Sequence, residues 1–240
     1  MDGSYRGMSV TDYGHNNQVD ISRTSACSGG ACITIYGNNN HVVIGEETVI
    51  SAGLIEMRNH DSVIRIGANC SLAGSLRCRA RNTSIRIGDR TTTMMAHLSL
   101  HEAGTITIGE DCMFSGDIMM DVSDMHSILD TETGARLNPA QDIEIGDHVW
   151  LAQGVRIMKG ALIGQHSVIG SRSMVMGAIP AHSLAVGVPA RVVRSGITWD
   201  RRRLNTEKAH EDETTEAFHS PLGGMPADEK SGGPNTTTER

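Results

Sequence analysis

His126 stands two residues after Asp124 and four before Asp130. An imidazole titrates close to neutral pH, so it can take a proton from a hydroxyl group. Either carboxylate could hold the ring tautomer, as a base and its orienter require. The plain alternative is an ordinary polar loop histidine. His148 and His166 are 18 residues apart. On a repeat of that length they stack on one side of the molecule. Stacked imidazoles invite zinc, with His126, His97 or His101 as a third ligand. Solvent-facing repeat residues are the simpler reading. Trp150 is one of 2 tryptophans in a chain with 3% aromatic residues. At an outward position it needs cover.

The elements that must hold these residues follow from a six-residue beat. Ile145, Leu151, Ile157, Ile163, Ile169 and Val175 fall at every sixth position. Neither a helix nor an ordinary strand needs that spacing. It marks a chain wound into flat triangular coils, one inward residue per face. Gly follows the aliphatic residue at Gly45, Gly67, Gly88, Gly109, Gly146 and Gly164, where a Cβ would clash. A second small or apolar position comes three residues later, as at Thr48, Cys70, Thr91, Cys112, Val149, Val155, Ala161, Ser167 and Ser173.

A longer period carries the same message. An Ile/Val-x-Ile-Gly pattern ends at Gly45, Gly67, Gly88, Gly109 and Gly146, in steps of 22, 21, 21 and 37 residues. One coil takes about 18 residues. The early coils therefore carry small bulges, and the long step carries an inserted loop over residues 122–141. A long loop on a regular rod points to function.

Composition narrows the classes. The chain has 240 residues, 38% hydrophobic. A thin prism of Ile, Val, Leu and Met fits so few aromatics. No apolar run is long enough for a membrane span, and the first residues lack a signal-peptide core. The net charge of −7 argues against broad nucleic-acid binding. Of 5 cysteines, Cys70 and Cys112 take inward positions and read as reduced, which points to the cytoplasm. Residues 1–30 read as a flexible lead-in and 31–197 as the β-helix domain. Residues 198–240 read as a linker containing Arg201, Arg202 and Arg203, then a disordered tail.

The stretch from Asp142 to Arg194 contains IGDHVW, Ile179-Pro180 and GVPARVVR. Upstream lies Asp124-x-His126. On these residues the chain resembles the hexapeptide-repeat acyltransferases, in particular bacterial O-acetyltransferases of sugars and polysaccharides. The resemblance covers residues 40–197. It implies an all-β, left-handed parallel β-helix, a homotrimer, and acetyl-CoA in the groove between neighbouring rods. It implies His126 as general base, with Asp124 as its orienter, and direct transfer to a sugar hydroxyl. Trp150 becomes a groove wall. Gln153, Gly170, Ser171, Met176 and Gly177 match positions along the pantetheine arm, and Arg191 and Arg194 match phosphate contacts. The family often has Thr-Lys where this chain has Met176-Gly177, so one nucleotide contact is in doubt. No metal is expected. A small-molecule acetyltransferase is the alternative enzyme. A non-catalytic scaffold and a zinc carbonic anhydrase-like protein are the more distant alternatives.

Overall fold

The aliphatic positions close into a three-sided prism. The computed structural model describes residues 2–5 and 7–205, with strands and turns but no helix among them. About 8 coils stack into a parallel β-helix. Each coil visits three faces in turn. The first face begins with Met8–Asp12 and Cys32–Ile35 and continues through Ala96–Leu100, Ile118–Asp121, Arg156–Ile157 and Met174–Val175. The second runs from Gln18–Ile21 to Ala178–Ile179. The third runs from Ala26–Ser28 through Met113–Phe114 and Trp150–Leu151 to Ser183–Gly187. Two long strands, Val49–Met57 and Ser71–Cys78, bend across the third and first faces, with a bulge between Ile50 and Gly53. The last strand, Ala190–Ser195, turns back antiparallel on Ser183–Gly187.

Register explains the two step lengths. Ile108 pairs with Ile145, and Ile145 with Ile163. A 37-residue step and an 18-residue step thus each make one coil. The surplus leaves the rod between Ile118–Asp121 and Ile143–Ile145, where the inserted loop was expected.

The six-residue beat is the core. Ile145, Leu151, Ile157, Ile163, Ile169 and Val175 are all buried. Burying each such side chain contributes roughly 1.5–3 kcal/mol. The second set, from Thr48 to Ser173, is buried too. Its polar atoms bond to the next coil: the Thr48 hydroxyl donates to Gly67 O at 2.7 Å, and the Cys112 thiol to Gly146 O at 3.3 Å. Desolvation pushes the Cys112 thiol up to about 12. The glycines serve stacking more than turning. A Cβ on Gly88 would meet the Gly109 carbonyl carbon at 2.6 Å.

Two expected boundaries are corrected. Residues 1–30 are no loose lead-in, because Met8–Asp12, Gln18–Ile21 and Ala26–Ser28 build the first coil, with Met8 and Val10 buried. Its Asn-rich corners look like loop sequence. Asn is used there because it tolerates the left-handed backbone, with φ of 56° at Asn16 and 59° at Asn39. The Asn17 amide then donates to Gly37 O at 2.8 Å, and the Asn40 amide to Asn59 O at 2.9 Å. At the other end the rod reaches Trp199, beyond the expected 197. Asp200 begins a second unit, in which Arg202 pairs with Asp200 at 2.9 Å. The expected disordered tail lies outside the described residues from 206 onward.

Candidate active site

The inserted loop leaves the corner between the first and second faces, and polar bonds brace its neck. Arg136 grips Glu102 with two nitrogens, at 2.7 and 2.6 Å. The Ser123 hydroxyl donates to the same carboxylate at 2.5 Å. The guanidinium, then the hydroxyl, hold the Glu102 carboxyl down to about 2. The Asn138 amide donates to Asp124 Oδ2 and to His126 O, both at 2.8 Å, and its Oδ1 accepts from Ile128 N at 2.7 Å. Lys159 reaches up from the next coil to Asp124 at 2.6 Å.

His126 is exposed at this neck. Its backbone is fixed, with its N–H donating to Asp124 O at 2.7 Å. Its imidazole hydrogen-bonds to none of the described residues. The expected orienters are occupied elsewhere. Asp124 faces Lys159 and Asn138, which lower its pKa. Asp130 caps the turn at Glu132 and Thr133. A histidine–carboxylate pair does occur at the same corner one coil earlier: His101 Nδ1 lies 2.5 Å from Asp121 Oδ2, and burial raises the Asp121 pKa.

Trp150 lies half-buried on the third face, between Met113 and Val168 in register. Its indole N–H is buried without an acceptor. Part of its cover comes from its own chain. The Trp199 ring is 6.1 Å away at 51°. Trp199 is itself clamped on His148: the rings stack at 4.2 Å and 11°, and the indole N–H donates to His148 O at 2.7 Å.

His148, His166 and His182 form a column at the corner between the second and third faces. Each sits in the left-handed region, at φ 53°, 59° and 57°, which His enters more readily than most residues. Ring centroids are 5.1 Å apart between His148 and His166, and 4.8 Å between His166 and His182. Desolvation, then the neighbouring imidazoles, lower the His166 pKa. Both His148 nitrogens are engaged, Nδ1 with Asp111 at 2.7 Å and Nε2 with Trp199 O at 2.9 Å. None is left for zinc. Among the described residues, no three His, Cys, Asp or Glu side chains group to hold a metal.

The residues matched to acetyl-CoA do not meet on one chain. Gln153, Gly170 and Ser171 lie at the corner between the third and first faces, beside Trp150–Leu151 and Val168–Ile169. Met176 and Gly177 lie at the opposite edge of the first face, on the loop's corner. Arg191 and Arg194 are exposed on the antiparallel strand, opposite Val186 and Leu184. Sequence reasoning missed Trp199, Lys159 and Asn138. Trp199 carried a signal as the second tryptophan in an aromatic-poor chain, but it lies outside the repeat. Lys159 and Asn138 carried none, because their partners are set by the loop's path.

No family model matches the chain. A polysialic acid O-acetyltransferase of Neisseria meningitidis is 30% identical over 216 residues, covering 87% of this chain and 97% of that protein. A polysialic acid O-acetyltransferase of Escherichia coli is 32% identical over 162 residues, covering 66% of this chain; the chain spans 51% of that relative's length. Among solved structures, the polysialic acid O-acetyltransferase OatWY superposes with a TM-score of 0.76 at 29% identity, covering 83% of this chain and 94% of that one. The polySia-specific acetyltransferase NeuO gives 0.74 at 30% identity, covering 83% and 92%.

Proposed function

Because the chain belongs to the hexapeptide-repeat acyltransferase family, with polysialic acid O-acetyltransferases among its relatives, we propose that it transfers an acetyl group from acetyl-CoA to a polysaccharide hydroxyl. Sialic acid polymers are the first acceptors to try. The observation that carries the reading is His126: an exposed imidazole with no hydrogen-bond partner among the described residues, on a backbone held from both sides at the neck of the inserted loop.

The reaction needs few parts. His126 takes the proton of the acceptor hydroxyl. The oxygen attacks the thioester carbonyl carbon, the C–S bond breaks, and the CoA sulfur leaves as a thiolate and picks up a proton. No acyl-enzyme forms. Asp124, fastened to Lys159 and Asn138, acts on the position of the loop and so on His126. Exposed Gln153 and Ser171 and half-buried Gly170 offer their edges to the pantetheine arm, and exposed Met176 and half-buried Gly177 do so from the other corner. Arg191 and Arg194 suit phosphate through paired donors.

A homotrimer unites the two separated sets, because one rod's corner then faces a different corner of its neighbour. The loop supports this. Met125, Ile128, Leu129 and Leu137 are each more than half exposed, a cluster that calls for a covering partner. The buried Trp150 N–H also lacks an acceptor that a groove ligand or a neighbouring rod would supply. Among the described residues no helix is long and apolar enough to cross a membrane. The cysteines are free, in keeping with a reducing compartment such as the cytoplasm.

The test is acceptor-dependent release of CoA thiol against a panel of sialic acid polymers, neutral polysaccharides, small sugars and amines. Release with a polysaccharide alone supports the reading. Release with a small sugar or amine alone replaces it with a small-molecule acetyltransferase. No release with any acceptor removes it.

A further inference from the structure

One corner of the rod carries an unusual column. Cα pairing runs Asp12–Ile35–Met57–Cys78–Leu100 along the first face. The residues that follow therefore stack at the corner: Tyr13, Tyr36, Arg58, Arg79 and His101. Ser99 pairs with Asp121, which puts Ser123 next in line. His126 comes three residues after Ser123, so the column leads to the neck of the inserted loop. Coils are spaced by about 4.8 Å, so these six positions span roughly 24 Å.

The chemistry of the column is uneven in a useful way. Tyr13 and Tyr36 stack on each other at 5.3 Å and 14°, yet remain 67% and 50% exposed. They are 2 of only 3 tyrosines in the chain. Flat exposed rings suit the faces of sugars. Arg58 and Arg79 follow, sharing the buried carboxylate of Glu56. Arg58 Nε bonds it at 3.0 Å, and Arg79 lies 3.6 Å away, an ion pair too long for a hydrogen bond. Arg77 flanks them, in register with Glu56. Its Nε, like that of Arg79, is buried without a partner. Residues 56–90 hold seven arginines against three acidic residues, in a chain whose net charge is −7. Of these, Arg58, Arg77, Arg79 and Arg81 lie at or beside this corner, against Glu56 and Asp61, while Arg65 and Arg86 lie on the second face.

We propose that this corner is a binding track for a linear polysaccharide with a carboxylate on its sugars, which it threads toward His126. The tyrosines take sugar faces, and the arginines take carboxylates through paired donors. The track deepens the acetyl-transfer reading, since it names the acceptor as a polyanion several sugars long. Its own test does not depend on turnover.

The probes are a long sialic acid oligomer, a sialic acid dimer, neutral dextran, and an RNA of similar charge. Binding is measured directly, and CoA release is measured beside it. The expected result is tight binding of the long oligomer alone, weakening as salt rises. Arg58→Gln combined with Arg79→Gln should weaken it about tenfold or more and leave acetyl-CoA binding unchanged. Loss of Glu56's partners could disturb the fold, so Tyr13→Ala with Tyr36→Ala is the second variant. Both rings are exposed, and the pair should raise the dissociation constant of the long oligomer while that of acetyl-CoA stays fixed. Equal binding of oligomer and dimer, with neither variant altering it, overturns the track. Equal binding of dextran or RNA overturns the ligand class. Arginine-dependent oligomer binding without transfer to any acceptor upholds the track and sinks the reaction instead.

Discussion

Two corners of the same prism use histidine in opposite ways. At the corner between the second and third faces, His148, His166 and His182 repeat with the coils. They occupy a left-handed backbone position and pack ring against ring, tilted between His148 and His166 and stacked between His166 and His182. Asp111 and the Ile197–Trp199 segment take up ring nitrogens of His148 and His182. At the corner between the first and second faces, His126 follows no repeat. Its main chain is fixed and its ring bonds to none of the described residues. Repetition serves structure here. The proposed base is a residue that breaks the period, and its ring nitrogens bond to none of the described residues.

The largest effect should come from breaking the open side of this comparison. His126→Ala should lower kcat about 10²–10⁴-fold and leave the dissociation constant of acetyl-CoA nearly unchanged. Near-normal turnover in that variant would move the base to another histidine of this corner, first His101, already paired with Asp121.

Next in size is the closed side. Trp199→Ala removes a buried indole and its bond to His148 O, and should cost about 3 kcal/mol. Chemical denaturation read by Trp150 fluorescence would check it. A stable variant with unchanged Trp150 emission would mean that Trp199 does not secure that ring. A third, smaller effect separates two roles for Asp124. If Asp124 acts through the loop, Asp124→Asn and Lys159→Ala should lower kcat/KM by similar factors, about tenfold or less. A loss in Asp124→Asn alone would return it to the role of direct orienter.

The rod was legible because its rule is local. Ile145 to Val175 fixed the six-residue beat, and the Ile-Gly steps located the insertion to within a residue or so. What stayed hidden depends on contacts far apart in the chain. Asp124 sits two residues from His126, and proximity made it an orienter. Lys159, 35 residues on, takes its carboxylate instead. Residues 1–30 looked loose by composition, since Asn at a left-handed corner and Asn in a loop are the same letter. Trp199 stands outside the repeat, so no period predicted that it covers Trp150. The split of the positions proposed for acetyl-CoA between two corners also needed three dimensions, because the motif is continuous in sequence.

The smallest expected effect tests whether the stacked column is structural through pH. Burial and the adjacent imidazoles hold the His166 pKa below its ordinary value of 6.5. The folded chain therefore prefers that ring neutral. As pH falls through the ordinary histidine range, the unfolded chain binds the proton first, so stability must fall with pH in that window. The carboxylate that braces the loop acts elsewhere. The Glu102 carboxyl is lowered to about 2, so its contribution is present above the ordinary carboxylate pKa and is lost only as pH falls below it. Asn is the replacement that isolates the ring, because it tolerates the φ of 59° at this corner and carries no titrating group. His166→Asn should thus keep the fold and show a shallower fall in Tm between about pH 7 and pH 5.5 than the parent chain. An identical slope in the two proteins would mean that the column's protonation is not coupled to folding. The contrast between its histidines and His126 would then rest on geometry alone.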